Sequence, residues 1–247
     1  SAGFDMAASN RRVALAVLGV AVGLAGGLAL LNYLVDPYNR YGLNRLGVYI
    51  SAEREWKATE IRRFPHNALL LGNSRMAGIR PRELQGFCFF NGGFSGGTAE
   101  EIYFFVYHFA TNIDLVVLSV DLGTCDPHPT LLRGDIFAPA SCRAIMDNLL
   151  NLHTVECSLR TIAGHLSARP KPNGPDGSYD GLPWFENADQ DHPAFRDWIL
   201  AAWKHIAESY PMPTPEKLSF YQKLAECLRQ RGIACVVFIP PQHEALA

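Results

Sequence analysis

A serine stands directly behind an unbroken apolar run in Leu69-Leu70-Leu71-Gly72-Asn73-Ser74-Arg75. If that run is a buried strand, Ser74 brings its hydroxyl to the open edge of a sheet and its backbone N–H to the start of the next helix. Both placements suit a nucleophile whose attack creates an oxyanion. The same position suits a serine that merely caps the helix, and Ser74 alone does not choose between the two. A second segment, Asn91-Gly92-Gly93-Phe94-Ser95-Gly96-Gly97-Thr98, also follows an apolar run. Its glycines let backbone N–H groups approach a reacting centre closely. A third apolar run ends at Asp121, which either has a structural role there or helps order a site. No Cys/His cluster has metal-ligand spacing, and neither a Gly-x-Gly-x-x-Gly nor a phosphate loop is present, so no metal or cofactor is expected.

These residues need a scaffold, and the pattern predicts one. Strands are expected at Ala68–Leu71, Phe87–Phe90, Leu115–Val120 and Ala234–Ile239, with helices near 98–110 and 215–231. Unbroken apolar runs imply strands buried on both faces, which means a parallel sheet covered by helices, an α/β three-layer fold. In such sheets the functional loops lie at the strand C-terminal ends, where the Gly, Asn, Ser and Asp residues concentrate here. A polar helical segment is expected around 52–63. Between the third and fourth strands an insertion at about 126–213 carries predicted helices at 148–165 and 194–210 around a Pro/Gly-rich surface loop, Pro170–Pro183. Trp184, Phe185, Trp198 and Trp203 in or beside it either line a carbohydrate or acyl groove or form a satellite core.

Val13–Leu31 consists only of Val, Ala, Leu and Gly, and with Asn32–Val35 it reaches 23 residues, against about 20 needed to cross a bilayer. Arg11 and Arg12 precede it and no Lys or Arg follows until Arg40, so the positive-inside rule places residues 1–12 in the cytoplasm and everything after Asp36 outside. A buried core helix would show a polar face, and a cleaved signal peptide would have a shorter apolar stretch; an uncleaved anchor in the inner membrane is expected. The remaining organisation is a juxtamembrane segment at 36–65 and an α/β domain at 66–247, in the periplasm. The formal net charge of −2, with 22 Lys and Arg scattered singly or in pairs, gives no basic field for nucleic acid. Of the six cysteines, Cys88 and Cys235 fall in strand-like runs and are expected as buried thiols. Cys125, Cys142, Cys157 and Cys227 are candidates for pairing in an exported domain.

Gly72-Asn73-Ser74 and Asn91–Thr98, with Pro240-Pro241 after the fourth strand, resemble the ordered sequence blocks of the SGNH/GDSL hydrolases, with Asn in place of Asp before the serine. The resemblance covers roughly residues 67–242 and implies a flavodoxin-like SGNH fold with Ser74 as nucleophile and Gly96 as oxyanion N–H donor. The anchor, Asp36-Pro37-Tyr38 and Gly-x-Ser-Arg are similar to the envelope branch, which includes the alginate O-acetylation and teichoic acid D-alanylation proteins. That implies an extracytoplasmic serine esterase or O-acyltransferase acting on acyl groups of cell-surface polysaccharide, beside a multipass membrane O-acyltransferase. Arg75, Asn91 and Asp121 are then the substrate-side candidates, Arg75 either contacting substrate or structuring its loop.

Two blocks depart from the family pattern. Cys125 falls where an oxyanion-donating Asn aligns, and a thiol is a weak donor. No Asp-x-x-His follows the fourth strand; His243 is the one candidate base at the correct edge. The expectation is therefore a sheet incomplete at its C-terminus, with an Asp/His pair beyond Ala247. The alternative is a catalytically inactive, membrane-tethered scaffold or polysaccharide-binding protein.

Overall fold

The computed structural model describes residues 2–48, 53–120, 137, 141–167, 174–178, 201 and 215–239. They fall into two compact units: residues 1–50 with 139–169, and residues 51–138 with 170–247. Part of the expected insertion thus belongs with the N-terminal segment, and the polar helix near 52–63 belongs with the sheet.

Among the described residues, the regular elements of the first unit are all helices. Its long helix α1 (Ala2–Val35) contains a stretch of 26 residues, Asn10–Val35, with an 18-residue window of mean hydropathy 2.4, long and apolar enough to cross a membrane. At about 1.5 Å per residue this stretch measures about 39 Å, against a hydrocarbon core of about 30 Å. The helix stops at Asp36, whose φ is +45°, because the following Pro37 disfavours helical backbone before it. Asp36 then organises the turn. Its carboxylate accepts the amides of Arg40 (2.7 Å), Tyr41 (2.9 Å) and Leu43 (3.0 Å). Burial pushes the Asp36 carboxyl upward, and these amide bonds oppose the shift.

Two further helices complete the unit. α5 (Cys142–Leu149) is capped by Ser141, and α6 (Leu152–Leu166) by Asn151, whose side chain accepts the amide of His153 at 2.8 Å. The sequence pattern read 148–165 as one helix. The cap at Asn151 splits it, since Asn offers the backbone a competing partner at this position.

The second unit is an α/β domain. β1 (Ala68–Leu71), β2 (Phe89–Asn91), β3 (Leu115–Ser119) and β4 (Ala234–Phe238) form a four-stranded, all-parallel sheet in the order β2-β1-β3-β4. Around it lie α2 (Glu53–Glu60), α3 (Ser74–Ala77), α4 (Ala99–Phe109) and α7 (Pro215–Gln230). Leu69, Leu71, Phe90, Val116 and Leu118 share one core with α4 and α7 side chains such as Ile102, Phe105, Leu224 and Leu228. On the other face Ala68, Leu70 and Phe89 gather around Met76 of α3. β1 is buried along its whole length, as a central parallel strand should be. β4 is not: Val236 and Val237 are 53% and 57% exposed, and among the described residues β4 is an edge strand paired with β3 alone and with neither face fully covered.

Candidate active site

β1 delivers Gly72-Asn73-Ser74 to the C-terminal edge of the sheet, next to the point where strand order reverses between β1 and β3, the usual ligand crevice of open parallel sheets. A side chain at position 72 would bring its Cβ within 2.8 Å of the Ser119 Cβ, so the chain leaves the strand through glycine. The capping role belongs to Asn73. Its side chain accepts the Arg75 amide at 3.1 Å, while its carbonyl accepts Met76 and Ala77. Ser74, the first residue of α3, is exposed, and neither its hydroxyl nor its amide has a partner among the described residues. Arg75 is half-buried beside it. The buried hydroxyl of Ser119, at the end of β3, also has no partner among the described residues.

The loop after β2 is held amide by amide, with two of its bonds going to this strand end. Gly92 donates to the Leu70 carbonyl (2.8 Å), Gly93 to the Asn91 side chain (2.9 Å) and Phe94 to the Gly72 carbonyl (3.0 Å). Ser95 donates to the Glu53 carboxylate (2.8 Å), Gly97 to the Phe94 carbonyl (2.9 Å) and Thr98 to Glu101 (2.9 Å). From Gly92 to Thr98, Gly96 is the one amide without an acceptor among the described residues; it is exposed, with φ +60°. Thr98 and Glu101 form a capping box that starts α4 at the loop's end.

Asn91 corrects an expectation. It lies fully buried, with its amide nitrogen directed at the carbonyls of Met76 (2.8 Å), Ala77 (3.2 Å) and Ile79 (2.7 Å). A substrate would have to break those bonds to reach it. Its work is to hold α3 and the turn after it against the end of β2.

A charged layer that the sequence pattern missed lies on the other side of the loop. Arg54 of α2 forms a two-pronged pair with Glu101 and donates to the Ser95 carbonyl at 3.1 Å. Lys57, wholly buried between Trp56 and Phe94, donates to the Gly93 carbonyl and pairs with Glu53 at 3.3 Å. Burial lowers its amine to about 8, with Glu53 opposing the shift. The one signal was Trp56 beside Lys57 and Ile61 in an otherwise polar helix.

The turn at 174–178 was expected on the surface. Here the Asp176 carbonyl accepts the Asn91 amide at 2.8 Å, and the side chains of Asp176 and Ser178 are buried, 2.5 Å apart. Gly177 (φ +78°) sits so close that a Cβ would fall 2.2 Å from the Asn91 carbonyl oxygen.

Asp121, Cys125, Pro240-Pro241, His243 and the tryptophans of the insertion lie outside the described residues. Among the described residues no group of His, Cys, Asp and Glu has the geometry to hold a metal ion. Cys88, Cys142, Cys157, Cys227 and Cys235 are free thiols. Cys88 and Cys235 are exposed, contrary to expectation: Cys88 precedes β2 rather than lying in it, and Cys235 is on the edge strand. A cavity of about 420 Å³ lined by His66, His108, Thr111 and Asn112 opens at the opposite, N-terminal edge of the strands and contains none of the site residues. No protein-family model, curated protein or solved structure matches this chain.

Proposed function

We propose that this chain is a membrane-anchored, extracytoplasmic acyl-handling enzyme of SGNH type. The Ser74 hydroxyl attacks an ester carbonyl and passes its proton to a general base, for which His243 is the candidate on sequence grounds. The carbonyl oxygen becomes an oxyanion held by the Ser74 and Gly96 amides; the ester C–O bond then breaks, the base returns the proton to the departing alcohol, and the acyl group stays on serine. Transfer of that acyl group to water is esterase chemistry; transfer to a sugar hydroxyl is O-acylation of a cell-surface polysaccharide. A multipass membrane acyltransferase that supplies the acyl group fits the anchor. Helix α1 spans the inner membrane with Arg11 and Arg12 inside and the α/β domain in the periplasm.

One observation carries this reading. Six of the seven amides from Gly92 to Thr98 are committed to acceptors, and the one with no acceptor among the described residues belongs to Gly96, beside the strand end that bears the exposed Ser74. Gly96 is exposed, so its N–H is open to a ligand, whereas the committed amides of the loop are not.

The test is labelling of the membrane-bound chain with a fluorophosphonate. Wild type is expected to label, and Ser74→Ala to lose the label with unchanged melting temperature. Absence of label on folded wild-type protein would point to the inactive scaffold, and label persisting in Ser74→Ala would remove Ser74 from the mechanism.

A further inference from the structure

Helix α6 is built inside out. Its buried face is Thr154, Cys157, Ser158 and Thr161, small and mostly polar. Its exposed face carries Leu152, Leu159 and Leu166, spaced seven residues apart and 73%, 56% and 77% exposed. Met146 on α5 and Leu150 just after it are exposed too. A helix folded against a water-soluble core turns its leucines inward. Small polar residues between helices, with apolar residues outside, are the pattern of helices packed in lipid.

The partner of that small polar face is the helix apolar enough to span a bilayer. α1 packs against both α5 and α6. Asn32 of α1, itself fully buried, donates to the Leu149 carbonyl (2.9 Å) and accepts the buried Ser158 hydroxyl (3.0 Å). The bond to Leu149 satisfies a carbonyl at the turn between α5 and α6, where helical backbone leaves acceptors open. In lipid such acceptors must be satisfied internally. The covered side of α1 includes Ala25, Leu28 and Ala29 in part, then Asn32 and Val35. This contact therefore begins about 10 residues before the end of α1, or about 15 Å along its axis.

We infer that the α5–α6 hairpin is a membrane-contacting element, seated in the outer leaflet against α1 with Leu152, Leu159 and Leu166 facing lipid acyl chains. The inference rests on α1 spanning the membrane and is independent of the chemistry proposed for Ser74. Glu156 and Arg160 form an ion pair (2.6 Å) on the flank beside the leucine stripe. That pairing of an apolar stripe with a charged flank fits a helix lying at the boundary between acyl chains and headgroups.

The test places a keto amino acid, coupled to a nitroxide, at single positions of the full chain in phosphatidylethanolamine/phosphatidylglycerol liposomes, leaving the native cysteines untouched. Collision with oxygen reports lipid and collision with a nickel chelate reports water, in variants whose melting temperature is unchanged. Labels at Leu152, Leu159 and Leu166 are expected to favour oxygen several-fold, and labels at Glu156 and Arg160 the nickel chelate. A label at Leu18 controls for the anchor: if Leu18 meets the nickel chelate, the spanning reading fails and this inference with it. Leu18 in lipid with the three leucine positions in water overturns the hairpin alone. Leucine positions shielded from both reagents overturn it too, and assign the face to a second copy or another protein.

Discussion

Gly97 sits so close to Gly72 that a Cβ at position 97 would lie 2.8 Å from the Gly72 carbonyl oxygen. The strand end that presents Ser74 and the loop that presents Gly96 are therefore seated on one another, with no room for a side chain between them. Gly97→Ala must push backbone apart, at about 1–3 kcal/mol, and is expected to lose fluorophosphonate labelling together with stability. Gly96→Ala meets no atom within 4 Å and strains only the backbone at φ +60°, about 1–2 kcal/mol. It keeps its amide, so labelling is expected to survive. Equal labelling of the two variants would contradict this picture.

Lys57 gives the fold a specific pH signature. Its amine is near 8 in the folded chain against 10.5 when exposed. Below about 8 both states carry the proton, and confining the charge weakens the fold. Between about 8 and 10.5 the folded state releases the proton first, so the unfolded state binds more and the contribution to stability rises with pH. Relative to Lys57→Met, wild type is expected to gain up to about 3 kcal/mol across that window in denaturant melts. A difference independent of pH would show the amine to be ordinary.

Arg54 and Glu101 clamp the loop from the side of α2. A double-mutant cycle of Arg54→Met and Glu101→Gln is expected to give a coupling of about 1–2 kcal/mol. Each single variant should also slow labelling at Ser74, because each loosens the support of Ser95 next to Gly96.

In the helical unit, Asn32→Ala leaves the Leu149 carbonyl and the Ser158 hydroxyl without their buried partner, a loss of about 1–3 kcal/mol. Faster tryptic cutting at Arg143 and Arg160 is the expected readout, with the α/β domain unaffected. Unchanged digestion would mean that α1 and the hairpin are held by packing alone.

Much of the scaffold was legible because its signals are local. β1 lies where its four apolar residues end at Gly72, and α4 starts where Thr98 and Glu101 spell a capping box. Ser74 and the glycine loop were found because apolar runs deliver them to a common edge. What escaped depends on tertiary contact. Asn91 reads as a polar loop residue, and only the fold shows three carbonyls converging on its amide. Lys57 reads as a surface charge, and only the Gly93 carbonyl and Glu53 explain its burial. β4 reads as a strand buried on both faces from its apolar run, although among the described residues it pairs with β3 alone and stays largely exposed.

The bond network around Asn32 changes what an N-terminal truncation would do. Cutting the chain after Val35 to obtain a soluble form would remove more than a tether. It would strip α5 and α6 of the beam they are built on and leave Thr154, Ser158 and Thr161 facing solvent. A shortened protein that starts upstream of Ala25 keeps that beam, and is the form in which the hairpin should hold its shape.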